Sequence, residues 1–107
     1  MKINIKPLSI NDAFLGRRFK SNKYKMYEFE LWYKLPDLKI PKGIKLELKI
    51  NVGFSSKGSD LDNICKPFQD VISKKYKFND NQIYRLVMNK EIVKKGSEFI
   101  YFELSEY

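Results

Sequence analysis

The clearest pattern in the chain is a strict alternation of apolar and polar side chains over residues 44–54. Side chains of a strand point alternately to its two faces, so this segment is predicted to be a strand buried on one side. Residues 1–6 show a shorter alternation that ends at Pro7, which predicts a second, short strand. The apolar face of the longer segment consists of Ile44, Leu46, Leu48, Ile50 and Val52.

Residues 22–35 carry apolar side chains at helical spacing and stop before Pro36, which predicts a helix. Met26, Phe29 and Tyr33 share its predicted apolar face, with Trp32 and Leu35 beside them. Apolar residues also alternate inside this segment, so the pattern permits a strand as well.

A second helix is predicted over residues 60–76, where apolar side chains recur at helical spacing. Pro67 falls inside this segment. The first amides of a helix have no intrahelical partner, so the proline is tolerated if the regular helix begins near Asp62 or Asn63. The apolar stripe consists of Leu61, Ile64, Cys65, Phe68, Val71 and Ile72.

Residues 82–93 and 98–106 are predicted to be two strands joined by a turn at residues 94–97, which would form a terminal hairpin. Residues 7–22 and 36–43 are predicted loops. With 107 residues the chain is long enough for one domain. The order of elements predicts an α+β fold: a small single domain with a mixed β-sheet, two helices and a C-terminal hairpin.

The composition narrows the chemistry. The chain contains no histidine, which excludes Ser-His and Cys-His nucleophilic catalysis and nearly all zinc sites. Carboxylate oxygens remain as metal ligands, and they favour Mg²⁺ or Mn²⁺. The apolar runs fall short of the roughly 20 residues that a membrane span needs, and residues 1–6 lack a secretory signal. With Cys65 as its single cysteine, the protein is expected to be cytoplasmic and not membrane-bound.

The charge indicates a polyanionic partner. The chain holds 21 Lys and Arg residues against 13 Asp and Glu residues, for a net charge of +8. The densest basic run has no acidic residue between Asp12 and Glu28, and it is predicted to bind nucleic acid, although a solvated basic surface would show the same pattern. Phe14 and Phe19 near this run are candidates for base stacking. The basic run consists of Arg17, Arg18, Lys20, Lys23 and Lys25.

A group of carboxylates lies next to the second predicted helix. Asp60 and Asp62 are two residues apart, Lys66 follows four residues after Asp62, and Asp80 comes soon after the helix. Carboxylates repel phosphate unless a divalent cation lies between them, so a basic chain with such a cluster indicates a metal-dependent nuclease. A solvated helix start, with Lys66 paired to Asp62 or Asp70, is the structural alternative.

The same residues resemble a known family. Asp60-Leu-Asp-Asn-Ile-Cys-Lys66, the later Asp80-Asn-Gln-Ile83 and the early Pro7-Leu-Ser-Ile-Asn11 are similar to motifs of the RusA family of Holliday-junction resolvases. The resemblance implies that Asp60, Asp62 and Asp80 bind metal and that Lys66 is catalytic. Asn79 stands where some members have a further acid, and Lys57-Gly-Ser59 replaces an arginine-rich segment.

The resemblance also implies the activity and partners. It implies a Mg²⁺-dependent endonuclease that resolves four-way DNA junctions in recombination and repair, with Mn²⁺ as a possible substitute, and that works as a homodimer. Hydroxide derived from a metal-bound water would attack phosphorus in line. Lys66 would either stabilise the transition-state charge or orient the nucleophile. The alternatives are a generic branched-DNA nuclease and a non-catalytic basic module in which the aspartates cap helices.

Overall fold

The computed structural model describes residues 1–16 and 19–107 of the chain. Three α-helices lie within these residues: α1 (Ile10–Ala13), α2 (Asn22–Lys34) and α3 (Asp62–Tyr76). A single 3₁₀ turn follows α3 at Asp80–Gln82. The six strands are β1 (Lys2–Ile3), β2 (Phe14–Leu15), β3 (Phe19–Lys20), β4 (Leu46–Phe54), β5 (Ile83–Ile92) and β6 (Phe99–Glu106).

Four strands form a mixed sheet in the order β1-β6-β4-β5. β4 is parallel to β5 and antiparallel to β6, and β6 is antiparallel to β1. The alternation in β4 turns its apolar residues to the core, against the buried faces of the helices. The predicted α+β class, the single small domain and the mixed sheet are therefore confirmed.

The predicted terminal hairpin is wrong, because β4 lies between β5 and β6. α3 carries the chain back to the start of β4, so β5 runs parallel to β4, as a helical crossover between parallel neighbours does. The Val93 N–H donates a 2.7 Å hydrogen bond to the Phe54 carbonyl, which ties the end of β5 to the end of β4. Residues 94–98 then pass the end of β4, and β6 pairs on its other side. The turn signal was present, but it does not specify which strands pair.

The predicted helix over residues 22–35 is confirmed, but its predicted buried face is wrong. Met26, Phe29 and Tyr33 are 73%, 67% and 74% exposed. Tyr24 and Tyr27 are buried instead, together with Leu31 and Leu35. The helix carries two apolar stripes, and periodicity alone could not decide which of them packs against the core.

The start of α2 fixes which stripe is buried. Ser21 is its N-cap: the Ser21 hydroxyl accepts a 3.1 Å hydrogen bond from the Tyr24 N–H and donates one of 2.5 Å to the Asp12 carbonyl. The Tyr24 ring packs edge-on against Phe14, with ring centroids 5.4 Å apart. These contacts turn Tyr24 inward, so the stripe that contains it faces the core.

The segment 7–22, predicted to be a loop, contains α1 and the two-stranded sheet of β2 and β3. Ser9 caps α1, since its hydroxyl accepts a 3.2 Å hydrogen bond from the Asn11 N–H. α1 is only four residues long, too short for a periodic pattern to reveal. Within the described part of the chain, no helix combines the length and apolar character required to cross a membrane.

The predicted helix over residues 60–76 is confirmed with a start at Asp62. Leu61 is its N-cap, and no side chain makes a cap hydrogen bond there. Pro67 is buried inside the helix, beyond the first turn, so the expectation that it falls among the free amides is wrong. Proline has no N–H, so the Asn63 carbonyl loses its usual helical partner.

We predict that the packing around Gly53 of β4 leaves no room for a side chain at this position. A Cβ at this position would lie 2.5 Å from Cδ1 of Phe99, the residue opposite Gly53 on β6. We expect Gly53→Ala to lower the free energy of unfolding by about 1–3 kcal/mol through overpacking. Gly58→Ala is the control, because its nearest neighbour would be the Ser56 hydroxyl at 3.8 Å. Urea denaturation measures both, and equal stability of the two variants would contradict the close contact.

Candidate functional site

The loop that leads from β4 into α3 positions Asp60 and Asp62. Lys90 of β5 holds this loop, since its ammonium group donates hydrogen bonds to the carbonyls of Ser59 (2.9 Å) and Lys57 (3.3 Å). Asp60 and Asp62 then line one open depression of about 530 Å³ beside Lys90. These two predicted ligands are therefore brought together at the start of α3.

Neither Asp60 nor Asp62 forms an ion pair with a residue that the structure describes. Asp60 accepts one weak hydrogen bond from the Asn63 side-chain amide, at 3.4 Å. Both carboxylates are exposed. Two neighbouring acids without a basic partner repel each other, and a bound cation would remove that repulsion.

Lys66 contacts Asp80, the third predicted metal ligand. Its ammonium group lies 2.8 Å from Oδ1 of Asp70, one helical turn further on, and 3.4 Å from Oδ2 of Asp80. The hydrogen bond to Asp70, followed by the charges of Asp70 and Asp80, raises the pKa of Lys66 above its ordinary value. The alternative of a solvated helix start allowed this pairing of Lys66 with Asp70. The structure shows it together with the contact between Lys66 and Asp80.

A pair of reciprocal hydrogen bonds sets the position of Asp80. The Asn79 side chain accepts from the Asn81 N–H, and the Gln82 side chain accepts from the Asn79 N–H, each at 3.0 Å. The Gln82 amide also donates to the Ile44 carbonyl at 3.1 Å, which anchors the turn next to β4. Asn79 and Gln82 are thus structural, and they present the exposed Asp80 side chain to Lys66.

Two distant segments of sequence meet in a cavity of about 310 Å³. Pro7, Ser9 and Asn11 line one part of it, and Asp60 and Asn63 line another. Asp60 thus belongs both to this cavity and to the depression that it shares with Asp62. The early motif and the motif at the start of α3 therefore face the same space.

Further charged residues that the sequence analysis did not single out lie at this site. Lys6, Asp12 and Glu98 line the 310 Å³ cavity, and Lys90 lines the neighbouring depression. Glu98 follows the turn before β6 and Lys90 lies within β5, so their nearness to Asp60 depends on the strand order. No spacing in the sequence could have indicated it.

The carboxylates fit Mg²⁺ or Mn²⁺ by chemistry, since these ions prefer oxygen ligands. Asp60 and Asp62 share one depression, and Asp80 contacts Lys66 at 3.4 Å. Across residues 1–16 and 19–107, no three His, Cys, Asp or Glu side chains form a group that could hold a metal ion. The described geometry is thus two adjacent pairs: Asp60 with Asp62, and Lys66 with Asp80.

The three aspartates are not helix caps. The N-cap of α3 is Leu61, and the N-cap of the 3₁₀ turn is Asn79. The structure therefore gives Asp60, Asp62 and Asp80 none of the capping roles that the non-catalytic alternative assigned to them.

The predicted nucleic-acid-binding residues are divided among several environments. Arg17 and Arg18 lie outside the described residues. Lys20 of β3 forms a 2.8 Å ion pair with Glu28 of α2, and this hydrogen bond raises the pKa of Lys20. Lys23 and Lys25 are exposed in the first turns of α2, so they lie on a helix rather than on the predicted flexible loop.

The two aromatic candidates also differ. Phe14 packs against Tyr24, at the edge of the core. Phe19 is 74% exposed. Phe19 is therefore the one of the two whose ring is available to stack on a base.

A comparison of the chain with models of known protein families and with curated proteins found no match. The geometry of residues 7–11, 60–66 and 79–82 is accordingly the basis of the functional proposal below.

The ion pairs of Lys66 predict a measurable change in its titration. Asp70→Asn removes the negative charge from the acceptor that contributes most to the raised pKa of Lys66, so this pKa should fall towards its ordinary value. Asp80→Asn should cause a smaller fall. The pKa is read from the ¹³Cε shift of Lys66 in an NMR titration, with Asp62→Asn as the control. An unchanged Lys66 pKa in Asp70→Asn would show that the pair does not form in solution.

Proposed function

We propose that this chain is a Mg²⁺-dependent, structure-selective DNA endonuclease that resolves four-way junctions in recombination and repair. The observation that carries the proposal is the meeting of Pro7, Ser9 and Asn11 with Asp60 and Asn63 around one cavity. These residues belong to two separate motifs through which the chain resembles the RusA family. Their convergence is what a shared active site requires, whereas unrelated surface loops have no reason to converge.

Asp60, Asp62 and Asp80 are the residues that would hold the metal. When bound, Mg²⁺ or Mn²⁺ supplies a Lewis acid that lowers the pKa of a water and neutralises phosphate charge. The support in the geometry is the pair Asp60 and Asp62, two exposed acids with no basic partner among the described residues. A nuclease needs such a place to bind the cation, because the carboxylates would otherwise repel the phosphate of DNA.

Lys66 would supply a positive charge beside the scissile phosphate. Asp70 and Asp80 hold its ammonium group at 2.8 Å and 3.4 Å, and the hydrogen bond to Asp70 raises its pKa further above neutral pH. A fixed ammonium group stabilises negative charge that develops on the phosphoryl oxygens, because it needs no reorganisation during the reaction. Orientation of the nucleophile by Lys66 is the alternative role. Asp70 is a positioning residue in either case.

Phosphate contacts outside the site would come from the basic surface. The net charge of +8 attracts DNA, and Lys23 and Lys25 are exposed and are in no ion pair among the described residues. A four-way junction offers two equivalent strands to cut, so a homodimer with one site in each subunit matches the substrate. The reducing environment that a lone Cys65 indicates is consistent with action in the cytoplasm.

The second candidate is a non-catalytic basic module that binds nucleic acid. Its specific support is the Lys66–Asp70 pair, which is an ordinary i,i+4 contact on a helix surface. Against it, none of the three aspartates caps a helix. A nuclease for other branched DNA would use the same residues, and it differs only in the substrate that is cut.

The proposal predicts that each metal-binding aspartate is essential for cutting. Asp60→Asn, Asp62→Asn and Asp80→Asn should each lower the single-turnover rate on a labelled immobile four-way junction by at least about 100-fold in Mg²⁺, since one ligand charge is removed. Junction affinity should be unchanged or higher, because a charge that repels phosphate is removed. Asp37→Asn is the matched control, with the same charge change on an exposed loop residue.

Two outcomes of this experiment would reject the catalytic proposal, and a third would change the substrate that it assigns. A wild-type protein that binds the junction but does not cut it in Mg²⁺ or Mn²⁺ would support the non-catalytic module. Equal rates for the three variants and Asp37→Asn would remove the aspartates from the site. Cutting of flaps and forks at the same rate as four-way junctions would support the broader branched-DNA nuclease.

The different environments of the lysines predict different contributions to DNA binding. Lys23→Ala with Lys25→Ala should weaken binding to junction and duplex alike. The slope of log affinity against log salt should flatten by about 0.9 for each phosphate that is no longer neutralised. Lys20→Ala is the control and should change the slope less, because Glu28 already neutralises Lys20. Fluorescence anisotropy at several salt concentrations measures the slopes. A larger effect of Lys20→Ala than of the Lys23 and Lys25 variant would indicate that DNA contacts the side of α2 that faces Lys20.

A further inference from the structure

The two edges of the four-stranded sheet differ in how they are protected. β1 forms one edge and is only two residues long. β5 forms the other edge, is ten residues long and pairs within the described chain only with β4. Short edge strands resist pairing with other chains, whereas a long edge presents a row of free amide and carbonyl groups. Tyr84 and Leu86 of β5 are also exposed, at 59% and 45%.

The hydrogen bond at the end of β5 identifies which backbone amides of this strand are free. The Val93 N–H points to β4, where it meets the Phe54 carbonyl. The ladder between β4 and β5 is regular from Glu47 and Arg85 onward, and backbone groups alternate in direction along a strand. The odd-numbered amides of β5 therefore face β4. The amides that face outward are Tyr84, Leu86, Met88, Lys90 and Ile92.

We propose that this edge binds the same edge of a second copy of the chain, as an antiparallel pair with its two-fold axis at Met88. In this register Arg85 lies opposite the partner's Glu91, and Glu91 lies opposite the partner's Arg85. Tyr84 lies opposite the partner's Ile92 at each end. The pairing therefore matches opposite charges on one face of the joined sheet and two apolar side chains at each end of the other face.

The backbone agrees with this register. Two residues can exchange both hydrogen bonds of an antiparallel pair only if the backbone N–H and C=O groups of each point towards the other strand. Leu86 and the partner's Lys90 satisfy this condition, as do Tyr84 and the partner's Ile92. Arg85 and the partner's Glu91 form a pair without mutual backbone hydrogen bonds, in which side chains come closest. Arg85 also contacts Glu47 at 3.2 Å in its own chain, and its five N–H donors allow both contacts.

Neighbouring registers lack this complementarity. An axis at Val87 would put Arg85 opposite the partner's Asn89, and an axis at Asn89 would put Val87 opposite the partner's Glu91. An axis at Lys90 would oppose Lys90 to the partner's Lys90, which is repulsive. Among these registers, the charges of Arg85, Lys90 and Glu91 favour the one with its axis at Met88.

This pairing would bring the two candidate sites to one side of the dimer. Met88 lines the depression that contains Asp60 and Asp62, and it would lie on the two-fold axis. The inference rests on the proposed function in one respect, that the nuclease acts as a dimer. Its test is a mass measurement and does not depend on DNA cleavage, so the dimer and the activity can fail separately.

The experiment compares charge reversals by sedimentation velocity over a range of protein concentrations. Wild-type protein should form a dimer of twice the 12.8 kDa chain mass. Glu91→Arg and Arg85→Glu should each raise the dimer Kd by about 30-fold, because each opposes like charges at two positions. An equimolar mixture of the two variants should again dimerise like the wild type, since one chain then carries arginine at both positions and the other carries glutamate at both. Thermal melts check that each variant is folded.

The exposed apolar stripe of α2, formed by Met26, Phe29 and Tyr33, provides the competing interface and the control. Phe29→Glu should leave the dimer intact. A dimer that is lost in Phe29→Glu and retained in Glu91→Arg would assign the interface to α2 and overturn the proposal. A monomeric wild type would also overturn it, as would a mixture that fails to restore the dimer. If Arg85→Glu does not fold, the double variant R85E/E91R replaces the mixture and should dimerise with itself.

Discussion

The packing of α3 against the sheet is the contact on which the site depends. The helix buries its apolar stripe on the core face of the sheet, where the Phe68 ring meets Phe102 edge-on with centroids 5.4 Å apart. Each large apolar side chain buried in this way contributes about 1.5–3 kcal/mol. The opposite side of α3 stays exposed and carries Lys66. Asp60 and Asp62 lie at its start, and Lys77, in the left-handed conformation, ends it just before Asp80.

The electrostatics of the chain follow from this arrangement. A protein with a net charge of +8 attracts phosphate, while the start of α3 presents two acids that form no ion pair with the described residues. Lys66 follows one helical turn after Asp62 and is shared by Asp70 and Asp80. A site of this composition suits a reaction that needs both a cation bound by carboxylates and a fixed positive charge. Phosphodiester hydrolysis is such a reaction, whereas binding DNA alone does not require a cation bound by carboxylates.

Local patterns in the sequence predicted the elements well where one face was strongly apolar. The alternation around Ile50 and the stripe around Phe68 each allowed only one buried face, and both predictions are confirmed. The stripes on α2 had two solutions, and Ser21 with Tyr24 decided between them through contacts with Asp12 and Phe14 that no periodicity reveals. The hairpin failed for a related reason, since a turn signal does not specify strand order. The positions of Lys90 and Glu98 near Asp60 depend on that order and could not be predicted.

The central proposal is that Asp60, Asp62 and Asp80 together bind divalent metal, and paramagnetic NMR tests it most directly. Trace Mn²⁺ added to ¹⁵N-labelled protein broadens the amide signals nearest to the bound ion. The account predicts that the amides of residues 60–63 and 80–82 lose intensity first and together, and that excess Mg²⁺ restores them. Broadening confined to residues 60–63 would remove Asp80 from the metal site. Broadening centred elsewhere, or its absence from all three aspartates, would contradict the account.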